Sequence, residues 1–221
     1  MIIWIASYPR SGNTLTRAIL HRSFGLETYS VYSEHRVKPR IVEHVGAVLH
    51  GKQRQELIDW ARASRESVFI KTHELPPDGD GDLAIFIVRD GRAATSSYHR
   101  FLQVKSTAAY SLGQVVAGTP PLLSWSDHAR AWRTYPHGRL LTLRFEDLIS
   151  LPARLLEKLS AFIGYPILRE FDLTFADFQD VDPVIYSRGY DAPGIAEIES
   201  ICSALFWSRH GDMMQVLGYG K

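Results

Sequence analysis

At 221 residues, 45% hydrophobic and 22% charged, the chain has the make-up of a globular protein, long enough for one large domain with a substantial core. A formal net charge of +1 argues against a nucleic-acid coat or a polybasic membrane binder, so any positive potential must be local. The single cysteine, Cys202, excludes an intramolecular disulfide and a cysteine metal cluster, and its neighbours Ile201, Ala204 and Leu205 predict a buried, inert thiol.

Ile2-Ile3-Trp4-Ile5-Ala6-Ser7 is an apolar run of the kind that forms a buried strand. It breaks at Tyr8-Pro9-Arg10-Ser11-Gly12-Asn13-Thr14, after which Leu15, Ala18 and Ile19 recur at helical spacing and predict a helix over 13–24. A strand, a Gly-containing turn and a helix N-terminus together make an anion site, because unpaired backbone amides and the positive end of the helix dipole point the same way. Ser7, Gly12, Asn13 and Thr14 follow the frame of the P-loop, G-x-x-x-x-G-K-[ST]. Asn13 stands at the Lys position, however, and a cation appears three residues earlier as Arg10. Such a loop suits a phosphate-like group and lacks the lysine of Mg-nucleotide chemistry. The apolar opening run leads straight into this loop rather than into a cleavage site, and no segment reaches the roughly 20 apolar residues of a membrane span, so a cytoplasmic location is expected.

Residues 27–40, with Tyr29, Tyr32, His35 and Arg36, lack periodicity and predict a loop. Residues 40–65 carry Ile41, Val45, Val48, Leu49, Leu57 and Ile58 on recurring faces and predict a helix weakened by Gly46 and Gly51. Val68-Phe69-Ile70 predicts a second strand, ending in Lys71-Thr72-His73-Glu74, and the Pro/Gly/Asp-rich stretch 76–82 is a turn. Leu83-Ala84-Ile85-Phe86-Ile87-Val88 predicts a third strand, ending in Arg89-Asp90-Gly91-Arg92 and running into a helix to about 102. The connection 105–121 has the length of a lid or binding loop. Thereafter come a helix over 122–135, a strand over 139–145, a helix over 151–163, irregular chain over 165–193 with short helical turns near 169–178, and a last helix over 194–216.

Buried strands alternating with helices predict a single α/β domain over residues 1–221, a P-loop-like three-layer sandwich with a central parallel sheet. Ligands in such sheets bind beyond the carboxyl ends of the strands. Three strands here end in candidate chemistry: Arg10 after the first, Lys71 and His73 after the second, Arg89 after the third. Trp125 and Trp132 read as core, Glu74 as a solvated turn residue, and Glu146-Asp147 as an anchor for neighbouring loops.

The ordered set of motifs resembles one family. Tyr8-Pro9-Arg10-Ser11-Gly12-Asn13-Thr14 is similar to the 5′-phosphosulfate loop, usually YPKSGTTW, of sulfotransferases that use 3′-phosphoadenosine 5′-phosphosulfate (PAPS). Lys71-Thr72-His73 resembles their KTH segment, and Arg89 with Ser97-Tyr98 their 3′-phosphate strand and helix. Trp125-Ser126-Asp127-His128 with Trp132, Phe145-Glu146-Asp147-Leu148 and Ser187-Arg188-Gly189 follow in family order, so the resemblance spans about residues 2–189. The opening also resembles bacterial sulfotransferases that modify glycopeptide antibiotics.

The resemblance implies that the amides of Ser11, Gly12, Asn13 and Thr14, with the Thr14 hydroxyl, hold the 5′-phosphate. It places Arg10 at the bridging oxygen in place of the family's Lys, and Arg89, Ser97 and Arg188, followed by Gly189, at the 3′-phosphate. His73 becomes the base, Lys71 a contact to the sulfuryl oxygens, and 3′-phosphoadenosine 5′-phosphate (PAP) the product, with no metal required. A cation at the leaving oxygen and a histidine titrating near neutrality suit an in-line sulfuryl transfer. Leu15 stands where a Trp would stack on adenine, and Phe145 where a Tyr is usual, which makes Phe175 the candidate for that ring. The expected acceptor is a small molecule or glycan bearing a hydroxyl or amine, shaped by residues 29–36 and 105–121. Neither nucleic acid nor membrane is an expected partner; a homodimer is compatible with the sequence, which identifies no interface. The competing reading is an ATP-dependent small-molecule kinase with Ile85 to Asp90 as a Walker B strand and Asp90 on Mg²⁺. A nucleotide-binding protein without catalysis is the third.

Overall fold

A computed structural model describes residues 1–220 apart from 34–36, 79–80, 136–137, 152, 184–185 and 187–191. In chain order the elements are β1 Ile2–Ser7, α1 Asn13–Phe24, β2 Thr28–Ser30, α2 Pro39–His44, α3 Arg54–Ala63, β3 Val68–Thr72, β4 Leu83–Val88 and α4 Gly91–Lys105. They continue with α5 Leu112–Ala117, α6 Trp125–Arg133, β5 Leu140–Arg144, α7 Phe145–Ser150, α8 Ala153–Ile163, α9 Phe175–Val181, α10 Ala192–Ile201 and α11 Ser203–Val216.

The strands form one five-stranded sheet in the order β2-β3-β1-β4-β5, parallel at every pairing. Central strands buried on both faces explain the unbroken apolar runs of β1 and β4, in which every residue is buried. Alternate residues of each strand serve opposite layers. Ile2, Trp4, Ala6, Ile70, Phe86 and Val88 pack with α3, α4, α5, α6 and α11 on one face. Ile3, Ile5, Phe69, Ile85, Ile87 and Leu143 pack with α1, α7 and α8 on the other. This is the three-layer sandwich expected from the alternation of strands and helices. Trp125 and Trp132 are core, as read from the sequence. No described helix is long and apolar enough to cross a membrane.

The chain steps from β1 to one side of the sheet for β2 and β3, then to the other for β4 and β5. Such a switch point opens a crevice at the carboxyl end of the central strand. Registers Ala6 opposite Thr72 and Ser7 opposite Ile87 end β1, β3 and β4 almost level, so their following loops share one rim.

Four local expectations are corrected. The loop at 27–40 contains the edge strand β2, and the helix at 40–65 is two helices. Gly46 adopts φ +55, with its ideal Cβ position 2.2 Å from His21 Nδ1, so only glycine fits there. Its carbonyl accepts from Thr28 N–H at 2.8 Å and Val48 N–H donates back to Thr28 at 2.9 Å, which turns the chain away from helix and alongside β2. Hydrogen bonds to a distant strand outweigh local periodicity here. The long last helix is likewise two, divided at Cys202, which lies at φ −132. Cys202 is half-buried rather than buried, because Ile201 (65% exposed) and Leu205 (43%) face outward; burial, with Glu197 next, pushes its thiol up.

Candidate functional site

Beyond β1 the chain enters a loop with two residues in the left-handed region, Arg10 at φ +66 and Gly12 at φ +104. At Gly12 an ideal Cβ would lie 2.6 Å from the Phe145 ring, so the turn requires glycine twice over, for conformation and for space. Arg10 is strained for a residue with a side chain, by about 1–2 kcal/mol, and its carbonyl is held by Arg89 Nη1 at 2.6 Å. Helix α1 then begins with no side-chain cap and no acidic residue in its first turn. Its first amides lack intrahelical partners, and the dipole's positive end stands exposed to an anion.

The individual residues of the loop divide by role. Ser11 donates its amide to the Tyr8 carbonyl at 3.2 Å, so that amide is engaged within the loop. Its hydroxyl is buried without a partner among the described residues, an orphan that a phosphate oxygen would satisfy. Asn13 turns its side chain inward: Nδ2 donates to Ile5 O at 2.8 Å and reaches Ser7 Oγ at 3.3 Å. The P-loop Lys position is therefore a tie between α1 and β1, and Asn13 faces the loop mouth with backbone alone. The Thr14 side chain lies beside the Tyr186 hydroxyl and draws it down against the rise that burial causes.

Around this cradle the structure gathers Arg10, Arg89 and Ser97. Arg10 Nε lies 3.4 Å from Ser97 Oγ, and its guanidinium sits 5.6 Å from both the Phe101 and Tyr186 ring centroids. Arg89 is buried, with Cζ 4.0 Å over the Phe145 ring. Two subsites that the sequence separates, one at Arg10 and one at Arg89 and Ser97, are in direct contact.

His73 directly follows β3, beside Ser7. Its Nδ1 is 2.8 Å from the Ser7 carbonyl and 3.3 Å from Ser7 Oγ, so the carbonyl assigns the proton to Nδ1 and leaves the lone pair on Nε2. The His73 amide donates to Tyr32 Oη at 3.0 Å, and the two rings stack at 5.8 Å. Burial first, then the charge of Lys71, pushes His73 down to about 3, below the near-neutral titration expected from the sequence; the imidazole is neutral at neutral pH and holds a proton weakly. Lys71 Nζ lies 5.8 Å from the same Tyr32 ring. A cavity of about 320 Å³ opens here, lined by Pro9, Tyr32, His73, Tyr98, Pro121 and Leu122 among others. Tyr32 and Pro121 come from the two stretches, 29–36 and 105–121, that the sequence assigns to an acceptor pocket.

Other candidates take structural places. Glu74 also borders the cavity, but its carboxylate pairs with Arg54 Nε at 2.8 Å. Asp90 caps α4, accepting from Arg92 through its amide at 2.9 Å, Nε at 3.1 Å and Nη2 at 2.7 Å, so the carboxylate needed for a Walker B reading is engaged there. Glu146 anchors loops as expected, accepting from Asp90 N at 3.2 Å and Tyr219 Oη at 2.6 Å. His128 is fully buried beside Tyr8, Phe86 and Trp132, with both ring nitrogens unpartnered among the described residues. Phe175 stands 41% exposed at the start of α9. The ring brought onto the loop is Tyr186, which sequence reasoning missed although it directly precedes Ser187-Arg188-Gly189. Arg188 and Gly189 lie outside the described residues.

A family model for the sulfotransferase domain matches residues 2–180. No curated protein matches the chain at a significant level. Among solved structures, the chain is similar to the mouse sulfotransferase SULT7A1 complexed with PAP, at 15% identity and TM-score 0.65, covering 98% of this chain and 88% of that one. It is also similar to retinol dehydratase in complex with retinol and PAP, at 15% identity and TM-score 0.67, covering 96% and 81%. The complex of retinol dehydratase with androsterone and PAP aligns over 96% and 80%, at 16% identity and TM-score 0.65.

Proposed function

The chain belongs to the sulfotransferase family, and we propose that it moves a sulfuryl group from PAPS to the hydroxyl, or amine, of a small acceptor held against His73. The observation that carries this reading is the convergence of His73, Arg10 and Arg89 from the ends of three adjacent strands onto an uncapped helix N-terminus. Bound PAPS supplies the sulfuryl group and a phosphate leaving group on which negative charge grows during transfer.

The chain's own residues answer each demand of that chemistry. The Ser11 hydroxyl and the amides of Gly12, Asn13 and Thr14 hold the 5′-phosphate, together with the Thr14 hydroxyl. Arg10 is fixed by its strained backbone and by Ser97, and presents a cation for the developing charge; one well-placed donor of this kind lowers the barrier by on the order of 2.7–4 kcal/mol. Arg89 and Ser97, joined by Arg188, recognise the 3′-phosphate that distinguishes PAPS from ATP, a task suited to the guanidinium fork. His73 accepts the acceptor's proton at Nε2, its tautomer held by the Ser7 carbonyl. Lys71 lies near enough to lower the histidine's affinity for a proton and to meet the sulfuryl oxygens.

Pro9, Pro121 and Leu122 with the Tyr32 and Tyr98 rings favour an apolar acceptor carrying one reactive hydroxyl. Retinol and androsterone, the alcohols named with retinol dehydratase, have that character. The test is a thermal-shift titration with PAP, with Mg-ATP and with adenosine 5′-phosphosulfate. Binding to the native state raises the melting temperature, and PAP is expected to give the largest rise. A rise with Mg-ATP and none with PAP would overturn the reading in favour of the kinase.

A further inference from the structure

The segment after α11 returns to the donor side of the molecule. Arg144, the last residue of β5, donates from Nη1 to Leu217 O at 3.0 Å, and its guanidinium lies 4.0 Å from the Tyr219 ring centroid. Tyr219 is buried, and its hydroxyl donates to Glu146 Oε2 at 2.6 Å. The other oxygen of that carboxylate, Oε1, accepts from the amide of Asp90 at 3.2 Å. Asp90 directly follows Arg89, and Phe145, on whose ring Arg89 stacks at 4.0 Å, directly precedes Glu146. One carboxylate therefore clamps both the backbone beside Arg89 and the turn that carries its stacking partner, and its Oε2 is held by the short Tyr219 bond, with Arg144 Nε further off at 3.9 Å.

A pocket of about 120 Å³ opens beside the turn, lined by Arg89, Arg144, Phe145, Glu146, Ile195 and Tyr219 among others. Side chains that border such an opening have neighbours on one side only, and a directional bond to a charged acceptor restrains their angle.

We propose that Tyr219 is a positioning residue for the 3′-phosphate site, acting through Glu146 to hold the β5–α7 turn and the start of α4 so that Arg89 stays stacked on Phe145. This rests on the reading of Arg89 as a ligand of the donor's 3′-phosphate. Tyr219 touches no donor atom itself. Its effect is confined to nucleotides that carry a 3′-phosphate, whereas a general structural role would act on any nucleotide.

The experiment is calorimetric titration of the unaltered protein and of Tyr219→Phe with PAP and with adenosine 5′-monophosphate, which lacks the 3′-phosphate. Tyr219→Phe keeps the ring under Arg144 and removes only the hydroxyl. It is expected to weaken PAP by about five- to twentyfold, the range for a partly transmitted charge-assisted hydrogen bond, and to leave the monophosphate within about twofold. Retained monophosphate binding also reports a folded cradle. In turnover, KM for PAPS is expected to rise by the same factor with kcat within about twofold. Unchanged PAP affinity, or equal losses for both nucleotides, would overturn the role of Tyr219 while leaving the donor reading intact. If the unaltered protein holds PAP no tighter than the monophosphate, the 3′-phosphate site is absent and both readings fall.

Discussion

His73 has a fixed tautomer, a neutral ring and a position on a cavity wall, all of which suit a general base, while burial makes it a weaker proton acceptor than a histidine titrating near neutrality. His73→Ala is expected to lower kcat by roughly a hundred- to ten-thousand-fold while PAP affinity, read by calorimetry, changes little. Equal loss of both would remove His73 from the role of base. Asn13 reaches the same histidine indirectly, because it holds Ser7, whose carbonyl and hydroxyl meet Nδ1. Asn13→Ala leaves Ile5 O buried without that donor and is expected to destabilise by about 1–3 kcal/mol, measurable by urea unfolding. His128 tells a different story: fully buried, with no partner for either nitrogen among the described residues, it is pushed down to about 3 by burial. Its folded pKa lies below the unfolded value of about 6.5, so the unfolded chain binds the proton first and stability falls as pH drops through the window from 6.5 toward 3. The slope is about 1.4 kcal/mol per pH unit for one such group. His128→Leu is therefore expected to raise the melting temperature more at pH 5 than at pH 8; an equal shift at both would assign the effect to packing. From the sequence, His73 was legible beside Lys71 and Thr72, but the inward turn of Asn13 was not. One dihedral angle decides whether an amide side chain faces a ligand or a strand.

At the scale of elements, the loop between β1 and α1 depends on a glycine that its neighbours have closed in. Gly12→Ala forces a φ of +104 on a residue with a Cβ and drives that atom into the Phe145 ring. Destabilisation of about 1–3 kcal/mol is expected from the backbone alone. Because Phe145 also carries Arg89, PAP binding should fall further than stability does. A variant that melts lower yet binds PAP normally would uncouple the loop from Phe145. The boundaries that sequence periodicity misplaced share a cause. The residues at 46–48 pair with Thr28, and the break at Cys202 divides two helices with different main partners, α10 on α4 and α11 on α5 and α6. Helix α10 is docked there largely by polar groups, Glu197 with Ser96 and Arg100, Glu199 with Arg92 and Trp207. Local pattern reports which residues want burial; it does not report the partner, and the partner sets where an element stops.

Across the whole molecule, the proposed donor site gathers cations from remote parts of the chain, in a protein whose net charge is only +1. Binding of a multiply charged nucleotide there should weaken as salt is raised, and PAP affinity is expected to fall several-fold between 50 mM and 500 mM NaCl, with Arg89→Gln flattening that dependence. A salt-independent affinity would mean that the arginines do not meet the phosphates. The sequence by itself determined the α/β class, the buried strands, the glycine-bearing anion loop and the presence of Arg10, Lys71, His73 and Arg89 at strand ends. Each of those is encoded locally, in an apolar run, a turn residue or the step from strand to loop. Only the tertiary structure decided that β1 lies between β3 and β4, so that the three ends meet. It also decided that Tyr32 supports His73, that Tyr186 lies against Arg10 and beside Thr14, and that Tyr219 comes back from the far end of the fold to Glu146. Those relations join residues that lie 41, 172 and 73 positions apart or thereabouts, and they are settled by how the layers pack, which no local stretch of chain specifies.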